Sequence, residues 1–232
     1  MPHSLPRLRF HPLLAAVLLA ASATLAMAEG QADSPVARSN IAGGVTIVPD
    51  RIIAEGLRAS ALLDAEVYNG RSQQLGRVSE LIATQREGRL RLVFVDTGGF
   101  LDIGGKEVAV PVAHFAALAR QFVLRNATRD SLAQYPEVSS ERVTQQDDVR
   151  LSRLLEAGVY NDAGEHLGEV NDLVVSREGV VTVVILDVDG FLGLDEHRIA
   201  VPLQQFRGLD LRMVLPRATR DILRDLPPYR GR

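Results

Sequence analysis

The sequence predicts a mainly β protein made of two tandem copies of one small domain, each copy closed by a short helix. The copies are visible directly. "LLDAEVYN" at Leu62 to Asn69 returns as "LLEAGVYN" at Leu154 to Asn161, and "QLGRVSEL" returns as "HLGEVNDL". "GGFLDIGGKEVAVP" returns as "DGFLGLDEHRIAVP", and "VLRNATRDSLAQYP" as "VLPRATRDILRDLP". With a one-residue slip near Thr84, about 30 of the aligned positions are identical, far above chance. The class follows from a hydrophobic period of two inside each copy, in short segments rich in β-branched residues.

Taken in chain order, residues 1–28 differ from the rest. Arg7 and Arg9 precede an apolar run from Leu13 to Leu25, and Ala26-Met27-Ala28 ends it with small residues. This is the three-part form of a secretory signal peptide cleaved after Ala28, which places the mature protein in the periplasm or outside the cell. The run is shorter than a membrane span of ~20 residues, and no second candidate follows; the alternative is that the segment stays uncleaved as an N-terminal anchor. Residues 29–56 are expected to be a flexible arm. The first copy occupies 57–136, a polar linker 137–148, and the second copy 149–229.

Within a copy, "RVSELIAT" and "EVNDLVVS" read as strands joined by the turns "REG" to "RLRLVFVD" and "VTVVILDV". Alternation places Leu90, Leu92 and Phe94 on one face of the first long strand and Val93 and Val95 on the other. In the second copy it opposes Val181, Val183 and Ile185 to Val184 and Leu186. "EVAVP" and "RIAVP" form another strand each, closed by Pro111 and Pro202. Short strands at such spacing suggest a small barrel or sandwich. "ATRD" opens the helix, with Thr128 and Thr219 as N-caps, Asp130 and Asp221 in the first turn, and Pro136 and Pro227 beyond the end.

The stretch "GGFLDIGGKEVAVP" superficially suggests a phosphate loop. The nucleotide-binding spacing G-x-x-x-x-G-K-[ST] is not met, because Glu107 stands where a hydroxyl should be and a strand follows where a helix is needed. The second copy replaces Gly104, Gly105 and Lys106 with Asp195, Glu196 and His197 and keeps the frame. Gly99, Phe100, Leu101 and Pro111, with Gly190, Phe191, Leu192 and Pro202, are therefore structural residues of a hairpin.

The pattern "YNGRSQQLGRVSEL … VDTGGFLDIGGKEVAVP" closely resembles the PRC-barrel domain, the small β-barrel of the photosynthetic reaction-centre H subunit, which also occurs in the ribosome maturation factor. The second copy, "YNDAGEHLGEVNDL … LDVDGFLGLDEHRIAVP", resembles it too. The resemblance implies two tandem small PRC-type β-barrels that serve protein contacts and assembly, with no catalytic motif and no cofactor to carry over. The membrane helix of the H subunit and the RNA-processing partner domain of the maturation factor have no counterpart here, so neither job transfers.

Composition narrows the chemistry. There is no Cys and no Trp, and aromatic residues make up 5%. Disulfides, thiolate metal sites and thiol catalysis are excluded. The net charge of −3 and the few aromatics argue against a nucleic-acid surface. His114, His166 and His197 fall in no metal or catalytic arrangement. Asp187, Asp189, Asp195 and Glu196 cluster around the second hairpin as candidate cation ligands, without the spacing of a calcium loop. Val93, Val95, Val184 and Leu186 form a second apolar face, expected to lie under the trailing helix, the other barrel or a protein partner. The expected function is that of an exported, non-enzymatic binding or assembly module. The alternative is a periplasmic small-ligand or cation sensor that uses the acidic hairpin.

Overall fold

The computed structural model describes residues 41–42, 44–98, 106–116, 121–138, 147–155, 157–188 and 197–231. All of these lie in one compact unit, Pro35–Arg232. The described residues begin with β1 (Ile41–Ala42), β2 (Val45–Thr46), α1 (Asp50–Ile53), β3 (Leu57–Arg58) and α2 (Ala59–Leu62). The first repeat continues with β4 (Glu66–Asn69), β5 (Gln74–Thr84), β6 (Leu90–Asp96), β7 (Glu107–Pro111), β8 (Gln121–Leu124) and α3 (Arg129–Ala133). The second contributes β9 (Asp148–Arg150), α4 (Leu151–Leu154), β10 (Gly158–Tyr160), β11 (His166–Val175), β12 (Val181–Val188), β13 (His197–Pro202), β14 (Arg212–Val214) and α5 (Arg220–Arg224).

The repeats build two sheets of the same topology, β7-β6-β5-β4-β8 and β13-β12-β11-β10-β14. Every pair along them is antiparallel except β4 with β8 and β10 with β14, which run parallel. The expectation of a mainly β chain in two tandem copies holds. Both caps form as well: the Thr128 hydroxyl accepts the Ser131 N–H and the Thr219 hydroxyl accepts the Ile222 N–H, each satisfying a donor that a helix start leaves open.

The sixth strand of each sheet comes from the other repeat. β3 precedes the first barrel in sequence but pairs with β11, with Arg58 opposite Val174. β9 precedes the second barrel but pairs with β5, with Arg150 opposite Ile82. The helices follow their strands. Ala59 and Leu62 of α2, and Leu151 and Leu154 of α4, are fully buried in one apolar cluster that draws on both repeats. Burying a leucine this completely stabilises by roughly 1.5–3 kcal/mol. The copies also join at their turns. The Leu90 N–H bonds the Gly179 carbonyl and the Val181 N–H bonds the Gly88 carbonyl, both at 2.8 Å. Gly88 and Gly179 have φ of 64° and 76°, which favours glycine at both turns.

Buried ion pairs tie the exchange. The register between β5 and β6 passes from Val78–Val95 to Glu80–Phe94, so Ser79 is an extra residue. Such a bulge re-aims the side chain beside it. Glu80, only 1% exposed, turns away from Val78 and Leu81 and meets the exchanged strand. There it accepts from Arg150 Nε at 2.9 Å, from the Ser152 N–H at 3.1 Å and from the Ser152 hydroxyl. The second barrel repeats the arrangement. Asn171 is the extra residue, and Asp172 accepts from Arg58 Nε at 2.9 Å, the Ser60 N–H at 3.1 Å and the Ser60 hydroxyl at 2.5 Å.

Further bulges correct the simple alternation. Leu92 pairs with Ile82 and Leu90 with Ala83, so Arg91 is an extra residue, and Thr182 is its equivalent in β12. Leu90 thereby joins Val93 and Val95 in the core instead of sharing a face with Leu92 and Phe94. Val93, Val95, Val184 and Leu186 were expected as a covered outer face; all four are 0% exposed and belong to the common core. They are interior residues and offer nothing to a foreign partner. The outer face of the second sheet is instead Val174, Val183, Ile185 and Ala200, packed against Ile53 and partly against Val48 and Tyr229.

That packing also corrects the expectation of a loose arm as far as residues 44–56 are concerned. The Val48 N–H bonds the Ala200 carbonyl at 2.8 Å, and the Gln205 amide brackets Thr46 from both its N–H and its carbonyl. Apolar side chains inside this strap and an unpaired sheet edge beneath it hold the segment in place.

Replacing Arg150 with Ala leaves Glu80 buried without its counter-charge. This is expected to lower unfolding stability by about 3 kcal/mol, read from urea denaturation at neutral pH. Cutting the chain within residues 139–146 is expected to leave both halves in one species on size exclusion, because the exchanged strands still bind each half to the other.

Candidate functional site

The hairpin residues singled out from sequence divide into two groups. Gly99, Phe100, Leu101, Gly190, Phe191 and Leu192 lie outside the described residues, as do Asp189, Asp195 and Glu196. Pro111 and Pro202 end β7 and β13 as expected. The stems of both hairpins are described, and they show what the variable residues do there. Lys106 Nζ donates to the Tyr135 carbonyl at 2.6 Å, just beyond α3. Its counterpart His197 places Nε2 3.1 Å from the Leu223 carbonyl in α5. Each therefore ties its hairpin to the trailing helix, where carbonyls have no partner within the helix. The lysine after the glycine pair is a helix clamp.

Asp187 lies 3.6 Å from Arg198 across the β12–β13 pair, and Asp96 Oδ1 accepts the Gly98 N–H at 2.9 Å. The matched aspartates therefore serve the stems. Among the described residues no cluster of three or more metal-ligating side chains occurs. His166 packs edge-on to Tyr160 at 5.0 Å between ring centres, and His114 is exposed.

The "VYN" motif proves structural, for a reason that sequence reading did not reach. Asn161 is buried, and its Oδ1 accepts the N–H groups of Ala163 and Glu165 at 3.0 and 2.9 Å. Its Nδ2 donates to the Ala218 carbonyl at 3.0 Å, beside the Thr219 cap. Asn69 closes the equivalent turn through Arg71 and Gln73. An asparagine that bonds the backbone two and four residues on mimics a backbone turn. The repetition of Asn at both positions was the available signal.

A feature absent from the sequence reading lies on the outer side of the second barrel. A cleft of about 550 Å³ opens between the strap, residues 46–56, and the end of the β11–β12 hairpin. Its floor is Val174 and Val183, and its roof is Ile47, Val48, Pro49 and Ile52. Glu55, Arg177 and Glu178 stand exposed at its rim. The Glu178 carboxyl is held below the usual range by a hydrogen bond from Ser176 and one from its own backbone, so it is charged at neutral pH.

Asn161→Ala is expected to cost about 2 kcal/mol in thermal or urea unfolding, because it strands two turn N–H groups. Lys106→Met should cost about 1 kcal/mol, the loss of one charged hydrogen bond near the surface. The reverse order would show that the clamp outweighs the turn.

Comparison with known proteins adds one finding. The model of the PRC-barrel domain family matches residues 54–130 and 146–216. Each matched segment includes the exchanged strand and helix of its repeat, β3–α2 in one and β9–α4 in the other. No curated protein matches the chain.

Proposed function

The chain belongs to the PRC-barrel family, with two tandem copies of the domain, and from that premise we propose that it is an exported, non-enzymatic module for protein binding or assembly in the cell envelope. PRC-barrel domains are generally non-catalytic. The observation that carries the reading is the exchange itself. It makes two barrels one body, so that two hairpin stems of different charge are held in fixed relation. The first stem carries Asp96, Lys106 and Glu107; the second carries Asp187, His197 and Arg198. A rigid pair of unlike, repeat-related surfaces suits the arrangement of partners, since preorganised surfaces lose little freedom on binding.

Export rests on the sequence of residues 1–28. The mature chain would keep 24 of the 26 basic residues against 29 acidic ones, a balance of about −5 that favours basic patches on a partner.

The test is affinity capture from periplasmic extract, with the hairpin tips as variables. Exchanging residues 102–107 with 193–198 in one chain swaps the two tip sequences within the same frame. The expected result is one partner protein retained by the wild type and lost or weakened about tenfold with the exchanged chain. N-terminal sequencing of the exported protein should begin at Glu29. Retention of the same partner by both chains would move the contact away from the tips. Turnover of a small substrate with no partner retained would overturn the reading.

A further inference from the structure

Several positions of the second barrel's cleft have described counterparts on the first barrel. Thr182, Gly56, Val174 and Val183 line the cleft. On the first barrel the matching positions are Arg91, Asp148 (from the exchanged strand β9), Ile82 and Leu92, each of them larger. Arg91 Nη1 there donates to Asp148 Oδ1 at 2.6 Å, with the carboxylate 1% exposed. An ion pair thus occupies, in one barrel, the position that Thr182 holds in the other, while beside Gly56 the corresponding space is taken by Val174. Gly56 cannot regain a side chain cheaply, because a Cβ would overlap Cγ1 of Val174. On the β11–β12 side of the cleft, Val174, Thr182 and Val183 are thus each smaller than the residue at the matching position of the first barrel.

The walls specify the occupant. They are aliphatic, with no aromatic ring among the lining residues, and the charged side chains stand only at the rim. A charged group inside would lose its hydration and find no opposite charge. Thr46, Thr182 and Gln204 offer neutral polar groups at the margin. The volume lies within the range of small-molecule sites, about 300–1,000 Å³. At the rim two carboxylates stand against one guanidinium, and the chain itself is negative at −3. Both features oppose an anionic bilayer surface and favour a molecule free in solution.

We infer that this cleft is a binding site for an uncharged molecule with an aliphatic body, such as a long-chain alcohol, taken up from solution. The site does not depend on the hairpin tips and stands whether or not they hold a protein partner.

The experiment uses the full chain and the uncharged fluorescent probe N-phenyl-1-naphthylamine, displaced by dodecanol, dodecanoate or dodecyltrimethylammonium below their micelle concentrations. The expected result is saturable probe binding, displaced by dodecanol at concentrations about tenfold lower than by either charged chain. The double variant Thr182→Arg with Val183→Leu restores the first repeat's residues at two wall positions. It should weaken binding about tenfold or more while circular dichroism still shows the folded β spectrum. Should that variant fail to fold, Val174→Ile narrows the floor by one methylene and should reduce affinity in the same direction. Absence of saturable binding, unchanged affinity in the folded variants, or equal displacement by dodecanoate would overturn the inference. So would co-sedimentation with anionic phospholipid vesicles that dodecanol does not reverse.

Discussion

The architecture depends on two buried carboxylates that cannot be left alone. Glu80 and Asp172 sit on central strands, turned outward by bulges and almost sealed from water. An ionised carboxylate in such a place is tolerated only when it is paired and hydrogen-bonded. In each barrel the arginine and the serine that satisfy it come from the segment that opens the other repeat. The exchanged strand docks in one register, and the short helix behind it drives its leucines into a core that both repeats share. Neither barrel supplies the counter-charge of its own carboxylate, so the two copies form one cooperative body. This relieves the marginal core of a domain of under about 90 residues.

On that common frame the copies have diverged where the frame permits. Arg91 and Asp148 pair on the outer side of one barrel, where the other has Thr182 and Gly56. Lys106 clamps one trailing helix and His197 the other, with different charge and the same mechanical effect. Glu66 accepts the Tyr68 hydroxyl in the first copy. In the second, Gly158 leaves room for the Tyr160 ring, and Arg212 stacks over it at 4.2 Å. Core positions resist such change because close packing registers even one methylene. Divergence therefore collects on outer walls and hairpin ends, where binding differences can arise without loss of the fold.

Much of this was legible in the sequence, and repetition is the reason. Strands, turns, the capping threonines and the terminating prolines each appear twice, so local signals that are weak singly reinforce one another. The carboxylate pairs left a trace as well. "LRASALL" and "VRLSRLL" share Arg and Ser, and the strands that receive them share an acid inside an apolar run. The cleft left none that single-strand patterning could read, because its walls come from the strap, β11 and β12 together. The bulges were equally hidden. Alternation assigns faces only while the ladder is regular, and one extra residue such as Arg91 inverts every face beyond it. That is why Val93 and Val95 read as a second, covered face and proved to be core.

By itself, then, the sequence determined the class, the duplication, the elements of each copy and the family, since these follow from local periodicity and from comparison of the chain with itself. Only the tertiary structure decided which repeat each opening strand serves, which face of each sheet is interior, and where a cavity remains. Those outcomes are settled by contacts between segments far apart in sequence: a buried charge seeking its partner, and a bulge that turns a side chain toward it.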